Sequence, residues 1–124
     1  AALASWADIL LVATPGRTGT TGLISATVLD ALGPQGTLVN VSRGSVVDEA
    51  ALIAALRDGR IANAGLDVYL HEPDPDPELT ALPNVTLCPH HASGTEETRD
   101  RMSQLTIDNL DAFFAGKPLL TPVN

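Results

Sequence analysis

Apolar positions along this chain fall into short unbroken runs, each closed by glycine, proline or a polar cluster. The first, Asp8 to Thr14 (DILLVAT), stops at Pro15 and Gly16, and its continuous apolar character predicts a strand buried on both faces. Thr37 to Val41 (TLVNV) is the second and ends in Ser42, Arg43 and Gly44. Ala62 to Tyr69 (ANAGLDVY) is the third, with small residues where a helix can approach, and Val85 to Cys88 is a short fourth.

Between the runs the period changes from strand to helix. Ser25 is placed to cap a helix through Leu32, which Gly33, Pro34 and Gly36 terminate. DEAALIAALRDG, from Asp48, is amphipathic, with Asp48 and Glu49 at its positive end and Arg57 near its negative end before Gly59. Thr95 to about Ala115 reads as a long helix and Gly116 to Asn124 as an extended tail. Ala1 to Trp6 reads as the end of a helix already under way, and the acidic, proline-rich stretch His71 to Pro77 as irregular. Alternating strand and helix predict an α/β fold built on a parallel sheet.

With 124 residues, one domain is expected, and an aromatic content of 3% requires an aliphatic core. The net charge of −8 and the scatter of the basic residues argue against a nucleic-acid partner. No apolar run reaches the roughly 20 residues of a bilayer span, so no membrane partner is expected. The lone Cys88 cannot form an internal disulfide, which suits the cytoplasm.

In open α/β sheets ligands bind beyond the carboxyl ends of the strands. Those positions hold Thr14, Pro15 and Gly16, then Ser42, Arg43 and Gly44, then Asp67 with Glu72 beyond, then Pro89, His90 and His91. An arginine, two acids and a histidine therefore converge on one sheet edge. Reduction of a 2-oxo acid needs such a set, because the substrate carries a carboxylate and its carbonyl oxygen gains negative charge as hydride arrives. Arg43 can grip the carboxylate by a planar two-point contact and polarise the carbonyl. His90 can donate the proton, since histidine is the side chain whose ordinary pKa lies near neutrality. Glu72 can accept from the other imidazole nitrogen, fixing the tautomer and favouring the protonated ring.

Each residue also has a plainer reading. Arg43 could form a surface ion pair, Glu72 could be one more solvated carboxylate, and Asp67 could cap a turn. Cys88 suits a small buried apolar site, and Ser5 and Ser25 suit helix caps. His90 and His91 together could hold a metal, but adjacent strand-end side chains point apart and no cluster completes a site, so no metal is expected.

Two segments, LVNVSRGSVVDEAALIAALRDGRIANAGLDVYLHEP (Leu38 to Pro73) and LPNVTLCPHHASGTEETR (Leu82 to Arg99), resemble in order and spacing the downstream signatures of the D-isomer-specific 2-hydroxyacid dehydrogenases. That family includes glyoxylate and hydroxypyruvate reductases, formate dehydrogenase and phosphoglycerate dehydrogenase. The resemblance spans nearly the whole chain. It implies a partial Rossmann-type parallel sheet flanked by helices, NAD or NADP as cofactor, a small 2-oxo or 2-hydroxy acid as substrate, and a homodimer in the intact parent. It implies Arg43, Glu72 and His90 as the catalytic set. It places Thr14 and Pro15 near the nicotinamide side of the dinucleotide, Val41, Ser42, Arg43 and His90 against the cofactor, Asp67 at the carboxamide, and Ala92 and Ser93 in the nicotinamide pocket. The PHHAS segment and the LLTPV tail (Leu119 to Val123) are most similar to the bacterial glyoxylate and hydroxypyruvate reductases.

The pattern is incomplete in two respects. The chain has no G-x-G-x-x-G fingerprint for the pyrophosphate, and nothing corresponds to a separate substrate domain. Residues 1–124 are therefore expected to be the C-terminal part of a nucleotide-binding domain, inactive alone. Two other functions stay open: a dinucleotide-sensing binding protein of the corepressor kind on the same fold, and an inactive assembly module.

Overall fold

The four apolar runs become four strands: β1 (Ile9–Val12), β2 (Thr37–Asn40), β3 (Asn63–Leu66) and β4 (Val85–Leu87). In this computed structural model, which describes residues 1–123, all four pair in parallel in the order β1-β2-β3-β4. Leu10, Leu38, Ala64 and Val85 share one row of that ladder, and Val12, Asn40, Leu66 and Leu87 share another. Parallel pairing in register brings every carboxyl end out on the same edge.

The predicted helices follow, the first with the expected bounds and the others slightly shorter: α1 (Ala26–Leu32), α2 (Glu49–Arg57) and a long α4 (Glu96–Phe114). Asp48 caps α2 by accepting from the Ala51 N–H at 3.0 Å, and Thr95 caps α4 by accepting from the Thr98 N–H at 3.3 Å. Ser25 occupies the cap position of α1, but its side chain makes no capping bond. The stretch expected to be irregular ends in a further helix, α3 (Pro77–Ala81), whose Asp76 cap accepts from the Glu78 N–H at 2.8 Å. Asp-Pro is a helix start, because proline at the first position surrenders an N–H that had no partner there anyway. At the amino end the chain forms only a 3-10 turn, Ala4–Trp6.

The chain divides into two compact units, residues 1–90 and 91–124. In the first, Leu10 and Val12 of β1, Leu38 of β2 and Ala64 and Leu66 of β3 share a core with Leu29 and Leu32 of α1, Leu52, Ile53 and Leu56 of α2, and Leu79 of α3. β1 corrects the expectation of burial on both faces, since Leu10 and Val12 are buried while Ile9 and Leu11 are 65% and 60% exposed. Alternating direction along a strand divides even a wholly apolar run between two faces, and the core covers one of them.

In the second unit, residues of the expected extended tail are tied to α4 through Asn109. Its Oδ1 accepts from the N–H groups of Leu120 and Thr121 at 3.1 and 3.2 Å, and its Nδ2 donates to Thr121 Oγ1 at 3.0 Å. Asn124, the last residue of that tail, lies outside the described residues. No helix among the described residues is long and apolar enough to cross a membrane.

Leu38 is fully buried in a strand with a partner on each side. Leu38→Ala is expected to lower stability by about 2–5 kcal/mol, read as a fall in the urea unfolding midpoint.

Candidate active site

Each strand exit must satisfy backbone groups that the sheet ladder no longer serves. At the β2 exit this falls to Asn40, which is 1% exposed despite its polarity. Its Oδ1 accepts from the Ser42 N–H at 3.0 Å and the Ser42 hydroxyl at 2.8 Å, and its Nδ2 donates to the Arg43 carbonyl at 3.1 Å. The tight turn so formed leaves Ser42 buried and Arg43 exposed. Arg43 Nη1 donates to the Ser42 carbonyl at 2.6 Å. The arginine stem lies against Gly16 of the β1 exit, where a Cβ would stand 2.6 Å from Arg43 Cγ.

Gly44 meets the backbone carbonyl of Tyr69 more closely than any side-chain-bearing residue could. The chain then makes a 3-10 turn, Gly44–Val46, on the way to α2. Within the first turn of α2, Glu49 is buried, and its Oε2 accepts from the Leu70 N–H at 2.8 Å. The β2 exit and its helix thus hold the β3 exit at two places.

Beyond β3, Asp67, Val68 and Tyr69 are buried. Glu72 Oε1 accepts from the Tyr69 N–H at 3.2 Å, and Glu72 Oε2 accepts from His90 Nδ1 at 2.6 Å. The Tyr69 hydroxyl donates to the carbonyl of Cys88 at the β4 exit. His90 follows with a left-handed backbone, φ 52, which few residues other than glycine adopt. With Nδ1 engaged by the carboxylate, Nε2 is the ring nitrogen that can serve a substrate.

Arg43, Glu72 and His90, singled out from sequence, therefore line one cavity of about 500 Å³ together with Gly16, Gly44 and Tyr69. Strand spacing explains the arrangement. β2 and β4 are two strands apart, roughly 10 Å, so the β3 exit lies between the arginine and the histidine. Burial first, then the negative charge of Glu72, and further Asp67 and Cys88, pushes the Tyr69 phenol above its ordinary pKa.

The profile of the D-isomer-specific 2-hydroxyacid dehydrogenase NAD-binding domain matches residues 1–92. The chain belongs to this family. It is 52% identical over 122 residues to a 2-ketogluconate reductase of Gluconobacter oxydans, covering 98% of this chain and 39% of that protein. Against a hydroxyphenylpyruvate reductase of Plectranthus scutellarioides it is 54% identical over 121 residues, again covering 98% of this chain and 39% of the relative. Among solved structures, the NADPH-dependent glyoxylate/hydroxypyruvate reductase of Sinorhizobium meliloti in complex with NADP and malonate superposes with a TM-score of 0.92 at 51% identity, covering 98% of this chain and 38% of that one. This member of the family thus spans about two fifths of the length of those relatives.

Of the remaining residues expected to face the cofactor, Thr14, Pro15, Val41, Ser42 and Asp67 follow the strands of the first unit. Thr14 is half-buried and Pro15 exposed after β1, Val41 is 40% exposed after β2, and Asp67 is buried after β3. None of these four lines the cavity that holds Arg43. Ser42 points its hydroxyl at Asn40. Ala92 and Ser93 belong to the second unit, in a turn where the Gly94 N–H donates to the His91 carbonyl at 2.7 Å. Gly16 takes the Arg43 stem and Gly44 the Tyr69 carbonyl where a Cβ would stand, which packs the exits closely at the edge where open α/β sheets bind dinucleotides.

Sequence reading missed Asn40, Glu49 and Tyr69, the three side chains that fasten one exit to the next. Asn40 left a trace, as the polar break in TLVNV. Glu49 was hidden by its ordinary place in an acidic first turn, and Tyr69 by its place at the end of an apolar run.

Gly44→Ala is expected to force the β2 and β3 exits apart and to destabilise the protein by about 1–3 kcal/mol, read from the urea midpoint. Tyr69 is the sole tyrosine, so a 295 nm titration reports it alone, with an expected midpoint above the ordinary value of about 10. The folded state holds this proton more tightly than the unfolded state. Its contribution to stability is therefore complete below pH of about 10 and is lost as pH rises through the folded pKa. A Tyr69→Phe variant is expected to lose less stability over that window.

Proposed function

We propose that this chain is the downstream part of a nucleotide-binding domain in an NAD(P)-dependent D-2-hydroxyacid dehydrogenase, and that the whole polypeptide reduces a small 2-oxo acid. The observation that carries this reading is the cavity in which Arg43 from one exit faces a hydrogen-bonded Glu72–His90 pair from two others. Thr14, Pro15, Val41, Ser42, Arg43, Asp67 and His90 would hold a reduced nicotinamide along the strand exits, and that group would supply the hydride.

The chain's own residues do the rest. Arg43 binds the substrate carboxylate and draws electron density from the carbonyl. As the carbonyl carbon gains hydride, His90 Nε2 gives its proton to the oxygen, leaving a 2-hydroxy acid and a neutral imidazole. Glu72 holds the ring through Nδ1, so that Nε2 stays aimed at the cavity. The backbone N–H of Tyr69 in turn holds Glu72.

Relatives named for 2-ketogluconate, hydroxyphenylpyruvate and glyoxylate are all about half identical to this chain. The part they share supplies the common reaction, and the choice of 2-oxo acid rests elsewhere in each polypeptide. Glyoxylate and hydroxypyruvate head the candidate substrates. We place the polypeptide in the cytoplasm, in keeping with the single free cysteine of this chain, and as a homodimer, as the family resemblance implies.

Absorbance at 340 nm tests the reading on the full-length polypeptide that carries this chain, with NADH or NADPH and glyoxylate, hydroxypyruvate or pyruvate. His90→Ala is expected to lower kcat by about 10² to 10⁴. Arg43→Lys is expected to lower kcat/KM by about 10-fold or more, because one point charge replaces a two-point grip. Cofactor binding without turnover of any of these acids would favour the dinucleotide sensor.

A further inference from the structure

We infer that Tyr69 is a positioning residue for the acid-base pair, holding the β3 and β4 exits so that Glu72 and His90 meet. This rests on the roles given to Glu72 and His90 above. The pair joins residues 18 apart in sequence, and its side chains are 43% and 32% exposed for His90 and Glu72. So open a contact gains little against the entropy of two mobile side chains. A buried group must set where the two exits lie.

Tyr69, 8% exposed, makes contacts at the β2, β3 and β4 exits. Its N–H engages Glu72 Oε1, which turns Oε2 towards His90. Its hydroxyl engages the Cys88 carbonyl, two residues before His90. Its own carbonyl packs on Gly44, next to Arg43, so it cannot shift without disturbing the β2 exit. His90 in turn holds a left-handed backbone, which persists only where neighbouring structure fixes it. The Cys88 carbonyl is the nearby point that Tyr69 fixes. Donation needs the phenol to keep its proton, and burial beside Glu72 holds that proton in place.

Tyr69→Phe keeps the ring and the N–H and deletes only the hydroxyl, so it separates tethering from packing. In the full-length polypeptide, its kcat is expected to fall roughly 10- to 100-fold with KM for the 2-oxo acid within about twofold. The ¹⁵N-imidazole resonances of His90, assigned by their loss in His90→Ala, are expected to shift, with little change in the urea midpoint at pH 7. Unchanged kcat and unchanged His90 resonances would overturn the inference. Loss of activity that tracks a lowered urea midpoint, with His90 resonances unmoved in the folded fraction, would also overturn it in favour of packing alone. If the unaltered polypeptide turns over none of the acids, the dehydrogenase reading fails by itself. The His90 resonances of Tyr69→Phe then still decide the tether.

Discussion

Parallel pairing in register is the constraint on which the rest of this protein depends. Because Val12, Asn40, Leu66 and Leu87 stand in one row, the chain leaves all four strands along a single edge. Arg43, Glu72 and His90 stand three, six and three positions beyond that row, and so reach the same region however far apart they lie in sequence. A one-residue slip would turn Leu10, Leu38 and Leu66 away from the helix layer, so the aliphatic core enforces the alignment that the site uses.

Alignment alone would leave four loose ends, and what stiffens them is hydrogen bonding from buried side chains to neighbouring backbone. Asn40 folds the β2 exit, Glu49 holds the β3 exit from the helix that follows β2, and Tyr69 reaches from the β3 exit to the β4 exit. Each engages backbone groups that the sheet ladder no longer serves. Glu49 bears the largest desolvation penalty, offset by its charge-assisted bond to the Leu70 N–H and its place at the positive end of α2. The glycines complete the frame: without Gly16 and Gly44 the exits could not approach one another.

The consequence is a division of labour between buried and exposed groups. Arg43, Glu72 and His90 are partly open to solvent, as groups that must meet a substrate have to be. Their positions are set by Asn40, Glu49 and Tyr69, which are buried and whose side chains are engaged by neighbouring groups of the exits. Left-handed His90 shows the cost of this arrangement, since a conformation worth avoiding by roughly 1–2 kcal/mol is held at the residue that pairs with Glu72 in the cavity.

The sequence by itself determined the alternation of strand and helix, the three longer helices, the family, and the candidacy of Arg43, Glu72 and His90. All of these follow from local pattern: unbroken apolar runs, 3.6-residue periodicity, and chemistry placed just after a strand. The Asp-Pro start of α3 was also local, but a proline-rich setting concealed it. Tertiary structure alone decided which face of β1 is covered, that Ser25 makes no capping bond, and that Ser42 turns inward to Asn40. It alone decided that Glu49 and Tyr69 hold the site together, because each acts on a backbone group 19 to 21 residues away. Local pattern carries no record of such a partner until the sheet has brought the two exits side by side.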